Sequence, residues 1–375
     1  MTIVMIGQKG LPARSGGIER HVESLATGLV TRHWRVIVFG RRWYVENRQP
    51  PPGVEQVLTG GIHTKHLDAI THSFTALWAA RRFHPDIVHL HGVGVGLLTP
   101  WARLILPRAK VIVTFHCLDR VFSKWGWFAR LAFRVGEWCS LLFAHRTITV
   151  SQHLLNYCLE TYGCQTSYVS HPFRATRIAG TPLDPKFGLQ PGRYLLFVGR
   201  LLRHKGAHVL IDAYRLAREL RPAVFGELDL AIVGSGSWTD DYVKKLDDQA
   251  EQVPGVKLFG EICGDELKGL QANALAHVFP TWEEGLSLAA LEAGISGRPV
   301  VATDIPPNRE ALGGHFIAVR PQDIEDLARG LIQVASQSEE ERQALAERAR
   351  TYIAGQFDFE TVLDRLIEVY REVRL

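Results

Sequence analysis

The chain alternates short β-rich runs with helical segments, and it passes through this alternation twice. Because strands that alternate with helices pair into parallel sheets covered on both faces, the pattern predicts two doubly wound, Rossmann-like α/β domains. We expect the carboxyl ends of the two sheets to face each other across a ligand-binding cleft. The candidate strands of the first half are "TIVMIG", "RVIVFG", "DIVHLH", "KVIVTFH" and "RTITVS". Those of the second half are "YLLFVG", "LDLAIVG", "VKLFG", "AHVFP" and "PVVATD".

The segment between the two series of strands, residues 171 to 193, is rich in proline and glycine. It predicts a first domain at 1–172, a linker at 173–189 and a second domain at 190–356. The last segment, about 357–375, has the pattern of an amphipathic helix, and we expect it to pack back on the first domain. With 375 residues, of which 46% are hydrophobic and 22% charged, the chain is long enough for two ordinary domains.

Charge is divided unevenly along the chain. Residues 1–175 carry 20 Lys and Arg against 9 Asp and Glu, a net charge of +11, whereas the remainder carries 23 against 30, a net charge of −7. A basic half favours nucleic acid, anionic lipid or a phosphorylated substrate, and the lack of any nucleic-acid motif disfavours the first of these.

Targeting signals and cysteine pairs are missing from the sequence pattern. No run of eighteen apolar residues is present, and the N-terminus does not have the layout of a secretion signal. The five cysteines include no C-x-x-C pair, which is typical of reduced core cysteines. We therefore expect a cytoplasmic protein.

Two strand-to-helix loops carry candidate binding groups. In "GQKGLPARSGGIERHV", Gly16 and Gly17 remove side chains where a backbone must approach a ligand closely, and the amides of the helix that follows suit an anion. The alternative is a plain turn. In "LLFVGRLLRHKG", Arg200 and Lys205 are placed to neutralise a diphosphate, and the alternative is a solvated loop.

Two glutamates flank a third loop, within "TWEEGLSLAALEAGISGRPVVATD". Glu284 is predicted before a helix and Glu292 about two turns further along it. One carboxylate is suited to accept hydrogen bonds from sugar hydroxyls and the other from a ribose diol. The amides of Gly285, Leu286 and Ser287 would face phosphates between them. The alternative is a solvated helix face.

With these motifs in this order, the chain resembles the retaining family 4 glycosyltransferases of the GT-B fold. The run from Glu284 to Glu292 is similar to the family's E-x7-E signature, and "FVGRLLRHKG" is similar to its diphosphate-binding segment. "SGGIERHVESLA" is similar to its N-terminal glycine loop. The opening "GQKGLPARSGGIE" resembles a bacterial branch of rhamnosyl- and related transferases of surface polysaccharide. Together the similar motifs cover nearly the whole chain.

The resemblance implies a role for each candidate residue. Arg200 and Lys205 would bind the donor diphosphate, Glu284 the hydroxyls of the donor sugar and Glu292 the ribose. His116, in "VTFHCLDR", matches a histidine that ends a first-domain strand beside the donor sugar. Taken without the resemblance, a histidine such as His116 is more often structural.

The sequence departs from the family pattern at two places. His171 and Pro172 stand where Asn-Gly is expected, and Ser287 replaces a common glycine. Both departures bear on the identity of the donor sugar. We also expect the two domains to close over the donor, because the glycine loop belongs to the first and the charged groups to the second.

The implied reaction is transfer of a hexosyl-type group from a nucleoside diphosphate sugar to an acceptor hydroxyl with retention of configuration. The acceptor would be lipid-linked or a polysaccharide in bacterial surface-glycan synthesis. No aspartate has another aspartate two positions away, so the D-x-D metal clamp is missing and we expect neither metal nor cofactor. Two alternatives share the architecture: a sugar-nucleotide epimerase and a non-catalytic sugar-nucleotide binder.

The segment 120–143, "RVFSKWGWFARLAFRVGEWCSLLF", mixes aromatic and cationic residues. Such a mixture is typical of a helix that lies in a lipid interface, and the alternative is a core helix whose aromatics face the sheet. The resemblance favours the membrane, since acceptors of this kind are carried on polyprenyl diphosphate. We therefore expect peripheral docking on the inner face of the cytoplasmic membrane. The residues involved are Arg120, Lys124, Arg130, Arg134, Trp125, Trp127, Phe128, Phe133 and Trp138.

Overall fold

A computed structural model describes residues 1–14, 16–122, 125–174, 178, 180–236 and 239–374. The chain divides into two compact units. The first comprises Met1–Phe173 together with Phe357–Leu375, and the second comprises Arg174–Gln356. The inner end of the first unit thus lies one residue beyond the predicted position 172.

The first unit is built on a parallel sheet in the order β3-β2-β1-β4-β5-β6-β7. The sequence pattern misses the two edge strands, β3 and β7. Polar residues interrupt the apolar run of β3, and β7 has only two residues. The strands are β1 Thr2–Ile6, β2 Arg35–Arg41, β3 Val54–Thr59, β4 Ile87–His91, β5 Lys110–Phe115, β6 Arg146–Thr149 and β7 Ser167–Tyr168.

The second unit is built on another parallel sheet, in the order β10-β9-β8-β11-β12-β13. In both sheets the strand order reverses beside the first strand of the unit, which is the arrangement of doubly wound folds. The predicted fold class, two doubly wound Rossmann-like domains, is confirmed. The strands are β8 Tyr194–Val198, β9 Asp229–Val233, β10 Val256–Leu258, β11 Ala276–Phe279, β12 Val300–Thr303 and β13 Ile317–Val319, of which β13 lies outside the predicted runs.

Helices connect the strands of both units. In the described part of the chain, no helix is both long and apolar enough to cross a membrane. The helices of the first unit are α1 Gly17–Thr31, α2 Arg42–Val45, α3 Asp68–Ala80, α4 Val93–Gly96, α5 Thr99–Ile105, α6 Trp127–Phe143, α7 Gln152–Tyr162 and, at the C-terminus, α16 Phe359–Glu372. Those of the second unit are α8 Ala207–Leu220, α9 Pro222–Phe225, α10 Asp240–Glu251, α11 Gly264–Asn273, α12 Leu288–Ile295, α13 Pro306–Leu312, α14 Ile324–Ser336 and α15 Glu339–Gln356.

The C-terminal helix α16 completes the core of the first unit. Leu363 and Leu366 are buried in the same apolar cluster as Leu25 of α1 and Met5 of β1. The hydroxyl of Tyr370 lies 2.6 Å from Nδ1 of His89 on β4. The last segment of the chain therefore belongs to the core of the unit in which the chain begins.

Part of the predicted linker 173–189 belongs to the second core. Phe187 and Leu189 are buried in a cluster with Tyr194 of β8 and Leu270 of α11. The prediction of a linker is therefore wrong for this stretch, because two apolar side chains among its prolines and glycines are enough to anchor it. Residues 175–177 and 179 lie outside the described residues.

The fold predicts that Gly28 is needed for the docking of α16. A Cβ at Gly28 would lie 2.9 Å from side-chain carbons of Leu363 and Phe359. Gly28→Val should therefore overpack this contact, at a cost of about 1–3 kcal/mol. Hydrogen exchange should then speed up at the amides of α16 while those of α14 stay unchanged. Gly355→Ala, at a helical glycine with open space around it, is the control, and unaltered exchange of α16 in Gly28→Val would contradict the packing.

Candidate active site

The charged motifs of the second unit emerge from neighbouring strands. β8 leads into Arg200 and a short 3-10 helix, Arg203–Lys205, and β11 leads into Glu284. β8 and β11 pair in parallel at the point where the strand order reverses. Both loops therefore leave the same carboxyl edge of the sheet, where ligands of open α/β sheets bind.

A close backbone contact holds the two loops together. Gly206, with a φ of +78°, lies so near the next loop that a Cβ there would be 2.3 Å from the carbonyl oxygen of Pro280. The amide of Trp282 and the hydroxyl of Thr281 both donate hydrogen bonds to the carbonyl of His204, each at 3.1 Å. The glycine is required here by its conformation and by the space.

An ion pair joins the two loops above this contact. The ammonium of Lys205 is paired with a carboxylate oxygen of Glu284. The exposed fractions of the two side chains are 17% and 12%, so the pair is mostly shielded from water. The structure thus brings together a cation and a carboxylate that the sequence places 79 positions apart.

A neighbouring strand supports the loop that carries Glu284. At the end of β12 the hydroxyl of Thr303 donates to the carbonyl of Thr281, and the side-chain amide of Asn308 donates to the carbonyl of Thr303 at 2.9 Å. Sequence reasoning missed Thr303 and Asn308. Polar residues at the end of a strand beside β11 were the signal that could have found them.

The other two charged candidates are placed differently. Arg200 is exposed, and among the described residues no hydrogen bond or ion pair joins it to Lys205 or Glu284. Glu292 is half-buried within α12, four residues after the helix begins. The structure brings Lys205 and Glu284 into contact. The roles of Arg200 and Glu292 in binding a ligand stay predictions.

The segment Gly285–Ser287 leads directly into α12. Ser287 is the N-cap of this helix, and its hydroxyl accepts a hydrogen bond from the amide of Ala290 at 3.3 Å. The departure from the family's glycine therefore supplies a helix cap. Within the described parts of the chain, no acceptor is bonded to the amides of Gly285, Leu286 or Ser287. These donors precede a helix N-terminus, which favours an anion.

In the glycine loop of the first unit, Gly16 leaves space for a buried side chain. Gly16 has a φ of +102°, and a Cβ there would lie 2.1 Å from a carboxylate oxygen of Glu19. Glu19 is buried and accepts a hydrogen bond from the amide of Lys9 at 3.0 Å. Gly17 is exposed at the first position of α1. Gly16 therefore makes room for a buried carboxylate that ties the loop after β1 to the helix.

His116 lies in a cluster of buried histidines just beyond the end of β5. Its Nε2 is 3.2 Å from Nδ1 of His91, the last residue of β4. Its ring centroid is 4.8 Å from that of His21 on α1. His171, at the departure from the family pattern, completes the cluster because its Nδ1 lies 2.8 Å from Nδ1 of His21. Sequence reasoning missed His21 and His91, although the adjacent strand ends of β4 and β5 both carry histidine.

Burial sets the protonation of the cluster. Loss of solvation, followed by the neighbouring imidazoles, holds the pKa of His21, His91 and His116 well below its ordinary value. The three rings are therefore neutral at neutral pH. Each can offer one lone pair and one N–H to a ligand.

Two family models match the chain, one in each unit. The model of glycosyl transferases group 1 matches residues 184–352, and the model of glycosyltransferase family 4 matches residues 15–172. The chain is a glycosyltransferase. Its two parallel-sheet units have the GT-B fold, so the resemblance seen in the motifs is confirmed at this level.

Similar proteins align with about half of the chain or with nearly all of it. The glycogen synthase of Mycobacterium tuberculosis is 26% identical over 99% of this chain and 94% of its own length. The O-antigen chain mannosyltransferase B of Escherichia coli is 26% identical over 51% of this chain and 49% of its own length. The crystal structure of HepE from Anabaena in complex with UDP and glucose superposes with a TM-score of 0.78 at 20% identity, covering 99% of this chain and all of HepE.

The capping hydrogen bond of Ser287 gives a stability prediction. Ser287→Ala should cost about 1 kcal/mol in unfolding free energy, whereas Ser287→Gly should cost only a few tenths, because glycine is tolerated at an N-cap. Calorimetric unfolding of the three proteins measures this order. Ser338→Ala, which removes a similar hydroxyl bond to the amide of Glu341, should cost about as much as Ser287→Ala. A Ser287→Ala protein as stable as the parent would refute the cap.

Proposed function

We propose that the protein is a retaining, family 4 hexosyltransferase that moves a sugar from a nucleoside diphosphate sugar to an acceptor hydroxyl. The observation that carries this proposal is the shielded pair of Lys205 and Glu284 at the carboxyl edge of the second sheet. A cation and a carboxylate side by side suit the two parts of such a donor, since the diphosphate is anionic and the sugar presents hydroxyl donors. The binding of UDP and glucose by HepE, which has the same fold, supports this class of donor.

Lys205 and Arg200 are assigned to the diphosphate. Lys205 supplies a point charge held in place by Glu284, and the exposed guanidinium of Arg200 can form two hydrogen bonds to phosphate oxygens. Amides of the segment Gly285–Ser287 add neutral donors before the N-terminus of α12. Together they stabilise the charge that builds up as the diphosphate leaves. The proposal requires no metal ion and no other cofactor.

The glutamates are assigned to the two hydroxyl-rich ends of the donor. Glu284 accepts hydrogen bonds from the sugar, and Glu292, on the helix behind it, accepts them from the ribose. His116 of the first unit is assigned a place beside the donor sugar, and Gly16 and Gly17 form the loop that approaches the donor. These roles come from the family resemblance.

The proposed step exchanges one bond for another at the anomeric carbon. The bond from this carbon to the diphosphate oxygen breaks, and a bond to the acceptor oxygen forms on the same face of the sugar. The acceptor proton passes to the departing phosphate oxygen, so the products are a glycoside and a nucleoside diphosphate. An epimerase would instead isomerise the donor without an acceptor, and a non-catalytic binder would leave it intact.

The proposed acceptor is a glycan on a polyprenyl diphosphate, in the synthesis of a bacterial surface polysaccharide. Similarity to an O-antigen mannosyltransferase over half of the chain supports a surface-glycan acceptor. An exposed apolar face of the first unit supports a lipid carrier. Because the chain is also similar to a glycogen synthase, a soluble glucan is the acceptor to test beside the lipid-linked glycan.

This apolar face, called here the α6 face, consists of the outward side chains of α6 and of the neighbouring helix α5. The exposed fractions reach 79% at Trp127 and 70% at Phe128 and Leu104. Arg103 of α5 donates to the carbonyl of Phe143 at 3.5 Å, which places the two helices side by side. The apolar members are Trp101, Leu104, Trp127, Phe128, Leu131, Val135, Trp138, Leu142 and Phe143.

Trp127, Phe128 and Trp138 of α6 face outward because the inner side of the helix is made mostly of small and polar residues. Phe133 is half-buried beside Gly94 of α4, so its assignment to a lipid surface is corrected. A Cβ at Gly136 would lie 2.3 Å from the carbonyl oxygen of Val93, so α6 packs tightly on α4 there. Next to it, the fully buried carboxylate of Glu137 accepts hydrogen bonds from Arg120 at 3.1 Å and from the hydroxyl of Tyr157 at 2.7 Å. The reading of α6 as a core helix with aromatics facing the sheet is therefore wrong for its exposed tryptophans.

The cations expected in this segment separate into two groups. Arg130 and Arg134 are exposed on α6 among the aromatic side chains, and Arg103 is exposed on α5. Arg120, by contrast, is held by Glu137, so its assignment to a lipid surface is corrected. Lys124 lies outside the described residues. We propose that the α6 face docks on the anionic inner leaflet of the cytoplasmic membrane, since aromatic side chains with interspersed arginines suit a lipid interface.

The cation assignment predicts a loss of turnover. Arg200→Ala and Lys205→Ala should each lower turnover by roughly 10²–10³-fold, by analogy with the loss of an oxyanion donor. Initial rates of nucleoside diphosphate release at saturating donor measure the effect. Lys268→Ala, which removes an exposed lysine paired with Asp265 in the same unit, should leave the rate unchanged. Parent-like rates in both variants would contradict the assignment of Arg200 and Lys205 to the diphosphate.

The glutamate assignments predict different effects on binding of the free nucleoside diphosphate. Glu284→Ala should preserve or strengthen this binding, because it releases Lys205 from its partner and removes only a sugar contact. Glu292→Ala should weaken it, because a ribose contact is lost. Calorimetric titration of both variants with UDP and GDP decides, and an equal loss of affinity in the two would be inconsistent with the roles.

The α6 face predicts salt-sensitive binding to anionic membranes. The parent protein should float with anionic vesicles at low salt, and less so at high salt, because screening weakens the attraction of the arginines. The double variant Trp127→Ser, Phe128→Ser should stay with the unbound fraction. Leu220→Ser with Val224→Ser, which removes exposed apolar side chains of the second unit, should float like the parent. Failure of the parent protein to float with either anionic or neutral vesicles would exclude membrane docking.

A further inference from the structure

The histidine cluster of the first unit contains more ring nitrogens than its own hydrogen bonds can satisfy. His91 and His116 share one hydrogen bond, between Nδ1 and Nε2. The remaining nitrogens, Nε2 of His91 and Nδ1 of His116, are buried and have no partner among the described residues. Whichever ring donates in the shared bond, one N–H and one lone pair are left unsatisfied. Burying such a group without a partner is unfavourable.

We propose that His21, His91 and His116 form a binding site for one divalent transition-metal ion of the zinc type. One nitrogen from each ring lies within 4.8 Å of the other two. Zinc–nitrogen bonds of about 2.0–2.1 Å in a tetrahedron require nitrogens about 3.3 Å apart. The nitrogens that join His91 and His116 already lie 3.2 Å apart, and when both bind an ion each ring carries its proton on the nitrogen that has no partner. A movement of the His21 side chain that brings one of its nitrogens to the same spacing completes the set.

His171 orients the third ligand. Its Nδ1 lies 2.8 Å from Nδ1 of His21. When His21 donates in this bond, its Nε2 carries the lone pair and is available to an ion. Metal-binding histidines are commonly fixed in this way by a hydrogen bond at the other ring nitrogen.

The chemistry of the site selects the kind of ion. Three imidazole nitrogens suit Zn²⁺, Co²⁺, Ni²⁺ and Cu²⁺, whereas Mg²⁺ and Ca²⁺ prefer oxygen ligands. The ligands come from α1, β4 and the end of β5, so the fold of one unit positions all three.

The site has one consequence that rests on the proposed function. His116 is assigned to the donor sugar, so an ion bound there would compete with the donor. Zinc would then act as an inhibitor of transfer and not as a cofactor. Binding itself can be measured without any donor, so the site and the proposed function are tested separately.

Titration of the metal-free, full-length protein with ZnCl₂ in a calorimeter tests the site. We expect one high-affinity equivalent per chain, with a loss of affinity of roughly ten-fold or more in His21→Gln and in His91→Gln. His145→Gln and His153→Gln, at half-buried histidines of the same unit, are the controls and should bind like the parent. Equal binding by parent, site variants and controls would assign the zinc to other histidines and overturn the proposal.

A spectrum of the parent protein decides the question if a site variant fails to fold. Co²⁺ bound by the three histidines should show the intense visible absorption of a four-coordinate complex, and one equivalent of Zn²⁺ should abolish it. Lack of saturable Co²⁺ binding, or a Co²⁺ spectrum that one equivalent of Zn²⁺ leaves unchanged, would overturn the site.

Discussion

The close approach of Gly206 to the carbonyl of Pro280 is the constraint on which the edge of the second sheet depends. A side chain at this glycine would fill the space between the loops after β8 and β11. Without the contact, the hydrogen bonds from Trp282 and Thr281 to His204 would not form in their present arrangement. Lys205 lies directly before this glycine, so the same contact positions its ammonium beside Glu284. The close backbone contact at Gly206 therefore also determines where the ion pair of Lys205 and Glu284 lies.

In the first unit, too, a glycine allows a close backbone contact, but there the contact leaves one face of a helix exposed. Gly136 lets α6 pack against the backbone of α4, and the buried Glu137 fixes the helix to α7 through Tyr157. Because the inner side of the helix is occupied by these contacts, Trp127, Phe128 and Trp138 are turned outward. Clustered exposed apolar side chains are typical of an interaction surface, and an anionic bilayer is the proposed partner because exposed arginines lie among the aromatics.

Much of the fold could be predicted from the sequence, because the inner strands of both sheets are continuous apolar runs. The edge strands β3, β7 and β13 could not, since each is short or partly polar and leaves a weak pattern. Lys205, Glu284 and His116 were recognised as candidates from motifs. Their partners were not, because the pairing of Lys205 with Glu284 and of His116 with His21 and His91 depends on which strands become neighbours. The direction in which the aromatic side chains of α6 point cannot be predicted from the sequence, because such residues suit either a core or a lipid interface.

We propose that the edge of the second sheet catalyses glycosyl transfer from a nucleotide sugar. The most direct measurement incubates the protein with UDP-, GDP- and dTDP-sugars, each with a polyprenyl-diphosphate-linked glycan, with a soluble glucan, or with no acceptor, and follows nucleotide release and the anomeric configuration of the product. We expect nucleotide release from one donor, dependent on the lipid-linked acceptor, and a product of retained configuration. An inverted product, isomerisation of the donor without acceptor, or tight binding without release would contradict it.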